Sequence, residues 1–433
     1  TTLPRIDWTK IDTDEGKPKT FFGLDAGASD ETVQDFVSKM KNLWADPMHS
    51  VPVLVNYGGT SEDADDQNNV VFVSTNAGML HAIDAKDGSE KFTFMPYEFI
   101  TQADKFTINR PGLRDNKRQL YGLDGSWVAW RRPGATAGSA PSAVYLYGGM
   151  RRGGRSYYAL DVSNVNAPKL KWQITGGAGD FEHLGQTWST PTLTQIPVGD
   201  SKVPVLVFGG GYSSADHDRT SDYDAENRSS EDEVGNAIYI VNANTGDLVW
   251  SATGDTVSAM KWAVPGSISV VDKNLDGVAD HLYFGDLGGQ VFRVDIDQDG
   301  DKAMAVHRLA DFGGNGADNR RFYEAPAITY VKQGFNEVLY VAIGSGYRAH
   351  PKDKDTEEAF FVFRDENAFS NPSAPDSVLS TGDLSEISRT GTEAADTSKP
   401  GWFYKLSILD GEKALSSPSV INGIVRFSTY SPV

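Results

Sequence analysis

One pattern returns along the chain: a short apolar strand, a glycine-rich turn, and a second apolar strand ending on an acidic or polar residue. It reads "VVFVSTNAGMLHAIDAKDG" from Val70, "AVYLYGGMRRGGRSYYALDVSN" from Ala143, and "VLVFGGGY" from Val205, resumed after an insertion by "GNAIYIVNANTGDLVW". It recurs as "HLYFGDLGGQVFRVD" from His281 and as "VLYVAIGSGYRAH" from Val338, completed by "EEAFFVFRDEN". A further short strand precedes each hairpin, usually opening on a proline (Pro52, Pro191, Pro265, Pro326 and Pro418), with "LDGSWVAW" taking that place in the second unit. Proline is tolerated at the first residue of a strand, where no ladder N–H is required.

With a trailing strand such as "EKFTF", "KLKWQITG" or "DLVWSATG", each unit makes a four-stranded antiparallel sheet of about 50 to 80 residues. Such a sheet cannot cover both of its faces alone. Radial stacking of several copies solves this, so the expected fold is all-β, a β-propeller of about six to eight blades with seven favoured. Six units are visible, and the sixth, starting at Trp402, stops at "GIVRFSTYSPV" with its blade incomplete. Residues 46–433 are assigned to the propeller and residues 1–45 to an N-terminal segment. In that segment Val33, Phe36, Val37, Met40 and Leu43 fall at helical spacing behind a Ser29/Asp30 cap, predicting one amphipathic helix packed on the ring. Residues 213–234 and 366–399 are polar, acidic or Ser/Thr/Pro-rich, and read as insertions projecting as surface loops.

Composition narrows the function classes. A formal charge of −19 argues against nucleic acid, whose phosphates need clustered Lys and Arg. The chain has no cysteine, which excludes disulfides, thiolate metal sites and cysteine nucleophiles. No run of about 18 apolar residues is present to span a bilayer as a helix. The opening "TTLPRIDWTK" has neither an initiator methionine nor an apolar signal core, and the expectation is a piece of a longer, processed protein.

The acidic stretch "VVDKNLDGVADHLYFGDLGG" concentrates the chemistry. Counting from Asp272, side-chain oxygens fall at positions 1, 3, 5 and 9 (Asp272, Asn274, Asp276, Asp280), with Gly277 at position 6. The readings are a solvated acidic turn or a cation site. The spacing matches the first nine places of a calcium loop, in which the carbonyl at position 7, here Val278, can also ligate. Position 12 is Tyr283 rather than glutamate and the flanks are strand-like, so the expectation is a Ca2+ site in a hairpin rather than between two helices. A second stretch, "DIDQDGD" from Asp295 to Asp301, repeats the spacing but has Ala303 at position 9 and Val306 at position 12, and reads as a charged connecting turn.

No catalytic or cofactor constellation emerges. The seven histidines match no zinc spacing, and the glycine runs lie in hairpins rather than ahead of helices. Arg151, Arg152 and Arg155 read as turn residues with a lesser alternative as an anion contact.

Taken in order, "HSVPVLVNYG", "LDGS" with "GGRSYYALDV", "FGGGY", "DKNLDGVADHLYFGDLGGQVFRVD" and "GSGYRAHP" resemble the C-terminal propeller of the PilY/PilC family, the tip-associated biogenesis factors and adhesins of type IV pili. The resemblance implies an exported bacterial surface protein at the pilus tip or outer membrane, with minor pilins and host or abiotic surfaces as partners. It also implies a calcium site that regulates pilus extension and retraction, twitching motility and attachment, with Asp272, Asn274, Asp276, the Val278 carbonyl and Asp280 as ligands. No enzymatic activity is expected. The alternatives are a quinone-dependent propeller dehydrogenase, many of which use adjacent cysteines that this chain lacks, and a generic interaction scaffold. The chain carries no Arg-Gly-Asp triplet to support integrin attachment.

Overall fold

A computed structural model describes residues 3–7, 10–14, 16–59, 67–107, 121–213, 231–301, 303–333, 336–370, 374–388 and 394–432. The chain divides into two compact units, Thr1–Thr175 and Gly176–Val433.

The first unit holds two antiparallel sheets. One runs β1 (Val53–Asn56), β2 (Asn69–Thr75), β3 (Met79–Asp84) and β4 (Glu90–Phe94). The other runs β5 (Trp127–Arg132), β6 (Ala143–Gly149), β7 (Ser156–Asp161) and β8 (Lys169–Thr175). Helix α1 (Asp30–Lys41) starts where Ser29 accepts the Thr32 N–H, and it buries Phe36 and Met40 against Phe22, Met79 and Ala103.

The second unit continues the plan. Its third and fourth sheets are β9 (Thr192–Val198), β10 (Ser201–Gly209), β11 (Ala237–Asn242), β12 (Leu248–Thr253), then β13 (Ser269–Val271), β14 (His281–Gly285), β15 (Gln290–Asp295), β16 (Ala305–Asp311). The fifth comprises β17 (Ala327–Gln333), β18 (Asn336–Gly344), β19 (Ala359–Asp365), β20 (Ser385–Glu386) and β21 (Gly401–Lys405). Two short pairs follow: β22 (Lys413–Ala414) with β25 (Thr429–Tyr430), and β23 (Ser419–Ile421) with β24 (Ile424–Arg426). Asn422 and Gly423 turn the β23–β24 hairpin with φ of 53° and 75°, the backbone a two-residue type I′ turn requires.

The expected four-stranded units are therefore present, with one boundary moved. The sequence reading opens the last unit at Trp402, whereas Trp402 pairs with Val362 and belongs to the fifth sheet. The 366–399 insertion separates the third strand of that sheet from its fourth, so the trailing strand looks like the start of a new unit. Nor does the described part of that insertion project freely. Leu379 exchanges backbone bonds of 2.8 and 2.9 Å with Asp311 and Leu309, and β20 pairs in parallel with β21. Most of the 213–234 insertion lies outside the described residues.

Burial explains the strand sequences. The middle strands β11, β14, β15 and β19 are buried along nearly their whole length; β11 and β19 are near-continuous apolar runs, whereas β15 also buries Gln290 and Arg293. Outer strands such as β8 alternate, with Trp172 and Ile174 inward. In the first four sheets the pairing of the third and fourth strands shifts register at a bulge, which increases local twist. The third strands end on Asp84, Asp161, Asn242, Asp295 and Asp365. In four of these the side chain accepts the N–H two residues on, closing the turn: Lys86, Ser163, Asn244 and Asn367.

Candidate metal centre

The acidic loop joins the first two strands of the fourth sheet. Val271 pairs with His281 across β13 and β14, and Asp280 N–H donates to Val271 O at 2.8 Å, so residues 272–280 form a closed bulb on a fixed base. Val278 and Ala279 are buried and anchor its return limb, while Leu275 at the tip is 88% exposed. Leu275 and Gly277 take φ of 60° and 84°. This left-handed backbone favours glycine, and it bends the chain around its own side chains.

Those side chains wrap the loop. The Asp276 N–H lies 3.1 Å from Asp272 Oδ1 and 3.0 Å from Asn274 Oδ1, so two predicted ligands converge on one donor. Asp272 Oδ2 accepts the Gly277 N–H at 2.8 Å, and Asp276 Oδ1 accepts that of Val278 at 2.9 Å. Asp280 is buried, and its Oδ2 accepts the Lys273 N–H at 2.7 Å. The donor set suits a hard divalent cation: three carboxylates, an amide oxygen and an available carbonyl, on a backbone already curved by bonds to those same groups. The carboxylates are nonetheless held apart, since among the described residues no three carboxylate or imidazole groups gather closely enough to hold an ion. Asp272 and Asn274 are brought together, while Asp276 and Asp280 are drawn to other donors.

One of those donors is absent from the sequence reading. Lys202, on β10 of the preceding sheet, places Nζ 3.0 Å from the Asp276 carbonyl and 3.5 Å from its Oδ2. The same hairpin accepts the Ala279 N–H at Gln195 O, 2.9 Å. On another side Lys273 Nζ sits 6.0 Å from the Phe369 ring centre. No local signal could have found Lys202, because its link to the loop is made by sheet packing.

The second acidic stretch is built differently. Asp295 Oδ1 accepts from Arg293 Nε at 2.7 Å and lies 2.8 Å from His281 Nδ1, while His307 Nε2 stands 3.0 Å from Oδ2 without hydrogen-bond alignment. Arg293, fully buried, also grips both oxygens of Asp365 at 2.6 Å, and Tyr283 O–H donates to Asp365 at 2.9 Å. Asp297 accepts the N–H groups of Asp299 and Asp301. In the first unit, Arg151 is buried against Asp124 at 2.9 Å and Arg152 reaches Tyr121, so both have structural partners.

A family model described as the PilY1 β-propeller domain matches residues 38–331, which include the whole acidic loop. The chain belongs to the PilY1 β-propeller family. Its fold is accordingly a β-propeller with four-stranded antiparallel blades. Among curated relatives it is 33% identical over 246 residues to the type IV pilus biogenesis factor PilY1 of Pseudomonas aeruginosa, covering 56% of this chain and 18% of that protein. It is 25% identical over 410 residues to a PilY1 homolog of Xylella fastidiosa, covering 84% of this chain and 24% of that protein. The chain thus spans about a fifth of the length of these PilY1 relatives. The crystal structure of the P. aeruginosa PilY1 C-terminal domain superposes with a TM-score of 0.61 at 20% identity, over 84% of this chain and 76% of that one. Among the described residues no helix is long and apolar enough to cross a membrane.

Proposed function

We propose that this chain is the calcium-responsive propeller of a type IV pilus biogenesis factor. In this reading it acts at the bacterial surface with pilus components such as minor pilins, regulates extension and retraction, and contributes to attachment without turnover. The observation that carries the reading is a D-x-N-x-D-G-x-x-D loop with calcium-loop curvature, set between two strands inside the region that matches the PilY1 propeller. Asp272, Asn274, Asp276 and Asp280 would hold Ca2+ through side-chain oxygens and Val278 through its carbonyl. When bound, the ion supplies the positive charge that lets three carboxylates share one small volume.

The chain's own residues prepare that volume. Asp272 and Asn274 already share the Asp276 N–H, and burial of Val278 and Ala279 fixes the return limb. Asp280 stands on the strand base, so closing the loop on it ties the bulb to the blade. Calorimetric titration of calcium into the Asp280→Ala variant tests the assignment: binding is lost while the far-ultraviolet circular dichroism of the sheets is kept. Wild-type affinity in that variant removes the ligand set. In cells, the same substitution is expected to shrink twitching zones under calcium-replete conditions. Quinone-dependent dye reduction by the purified chain would instead establish the dehydrogenase alternative.

A further inference from the structure

The geometry points to Lys202 as a tethered counter-ion of the acidic loop, an affinity-determining residue that a divalent cation must displace. The inference rests on the calcium reading and adds a competitor to it. The bulb already attracts one cation: the Lys202 ammonium donates to the Asp276 carbonyl at 3.0 Å and sits 3.5 Å from its carboxylate. Asp276 is position 5 of the loop, so the ammonium holds one of the groups the ion needs. It arrives from another sheet, near the tip of the β9–β10 hairpin, where Lys202 pairs with Pro197. That hairpin touches both acidic stretches, since Gly199 N–H donates to Gly300 O at 3.1 Å and Gln195 O accepts from Ala279 at 2.9 Å.

Two consequences follow. An ammonium 3.5 Å from a ligating carboxylate, in a half-exposed setting, opposes an incoming cation by roughly a factor of three to ten, and less at high salt. By linkage, an ion that displaces Lys202 loosens the hairpin tip, and whatever holds the tip in place weakens the ion. Loop occupancy is thereby communicated to the preceding blade through one side chain.

The test is titration of calcium chloride into the whole chain, as wild type, Lys202→Met and Lys202→Arg, at low and high ionic strength. The expected result is about three- to tenfold tighter binding for Lys202→Met at low salt, a smaller gain at high salt, and near-wild-type affinity for Lys202→Arg. Hydrogen exchange gives a second readout: calcium speeds exchange at residues 199–203 in wild type and leaves it unchanged in Lys202→Met. Calcium binding of equal or lower affinity in Lys202→Met than in wild type overturns the counter-ion role alone and leaves the calcium site standing. Absence of binding in all three proteins at millimolar calcium overturns the calcium reading, and the counter-ion role with it.

Discussion

Asp272 and Asp295 each open a D-x-[DN]-x-D-G stretch of the fourth sheet, one between its first and second strands and the other at the end of its third. Around Asp272 the carboxylates of Asp272 and Asp276 reach a wet surface while that of Asp280 is buried, and the three are met by backbone N–H groups and a single, half-exposed lysine. Asp295 is instead met by the buried Arg293 and by His281, in a network extending to Asp365. The spelling is shared, but the charge balance is opposite. A carboxylate already compensated by an arginine inside the fold has little to offer a metal, whereas one compensated mainly by N–H dipoles keeps its charge available. What separates the two is the register of the blade. Asp295 occupies the strand-end position also held by Asp84, Asp161, Asn242 and Asp365, so it belongs to the repeat before it belongs to any loop.

The sharpest way to break this contrast is to remove the internal cation. Arg293→Met leaves the buried Asp365 and the partly buried Asp295 without their guanidinium, and loss of one partner from a buried pair such as Arg293–Asp365 is expected to destabilise by about 3–5 kcal/mol. Urea unfolding measures it. Asp272→Ala without calcium removes only acceptors of exposed N–H groups and is expected to lose about 1 kcal/mol. Similar losses for the two variants would show that the buried network is no more structural than the loop.

Glu358 shows what happens when a buried carboxyl lacks such a partner. Its Oε1 accepts the Tyr347 N–H at 3.1 Å, but its Oε2 is buried with no hydrogen-bond partner among the described residues. Burial raises its pKa from 4.5 to about 7, against the opposing pull of a Ser345 hydrogen bond and of the Arg321, Lys413 and Arg320 charges. The folded value lies above the unfolded one, so the folded chain holds the extra proton. The corresponding stability is fully present below pH 4.5 and is lost as pH rises through about 7. Glu358→Gln, neutral at every pH, is expected to abolish this pH-dependent change, which is about 3 kcal/mol. Urea midpoints on either side of neutrality, compared with wild type, report the difference. An unchanged pH profile in the variant would mean that Glu358 is ionised in the fold, balanced by its arginine neighbours.

Strands and hairpins were legible because each blade repeats its own grammar locally: a first strand usually opened by a proline, an apolar run, a glycine turn, and a polar strand end. The acidic loop was legible for the same reason, since its spacing is contained in nine residues. Long-range partners were not. Lys202 meets Asp276 and Arg293 meets Asp365 only through the packing of one sheet on the next, and no spacing in the chain encodes either pair. Trp402 was misplaced because an insertion interrupted the grammar within the fifth sheet. The role of Asp295 could have been read by aligning "AIDAKDG", "ALDVSN", "IVNANTG", "RVDIDQDG" and "FRDENAF", where it falls in the column of strand-end residues.

The smallest expected effect is the most discriminating for the two acidic stretches. Asp297 spends its carboxylate on the N–H groups of Asp299 and Asp301, at 3.1 and 2.6 Å, and the turn is pinned where Gly300 O accepts from Gly199. If this stretch is a closed connecting turn, Asp297→Ala changes calcium affinity at physiological salt by less than about twofold, because its carboxylate is engaged by the Asp299 and Asp301 N–H groups rather than by the ion and acts on the ion only as a salt-screened neighbour. If instead the two stretches share an ion across the β9–β10 hairpin tip, the same substitution costs about tenfold, as loss of a ligating oxygen does. Calorimetry on Asp297→Ala beside Asp276→Ala separates the cases: one strong and one negligible loss keeps the stretches distinct, and two strong losses merge them into a single acidic site.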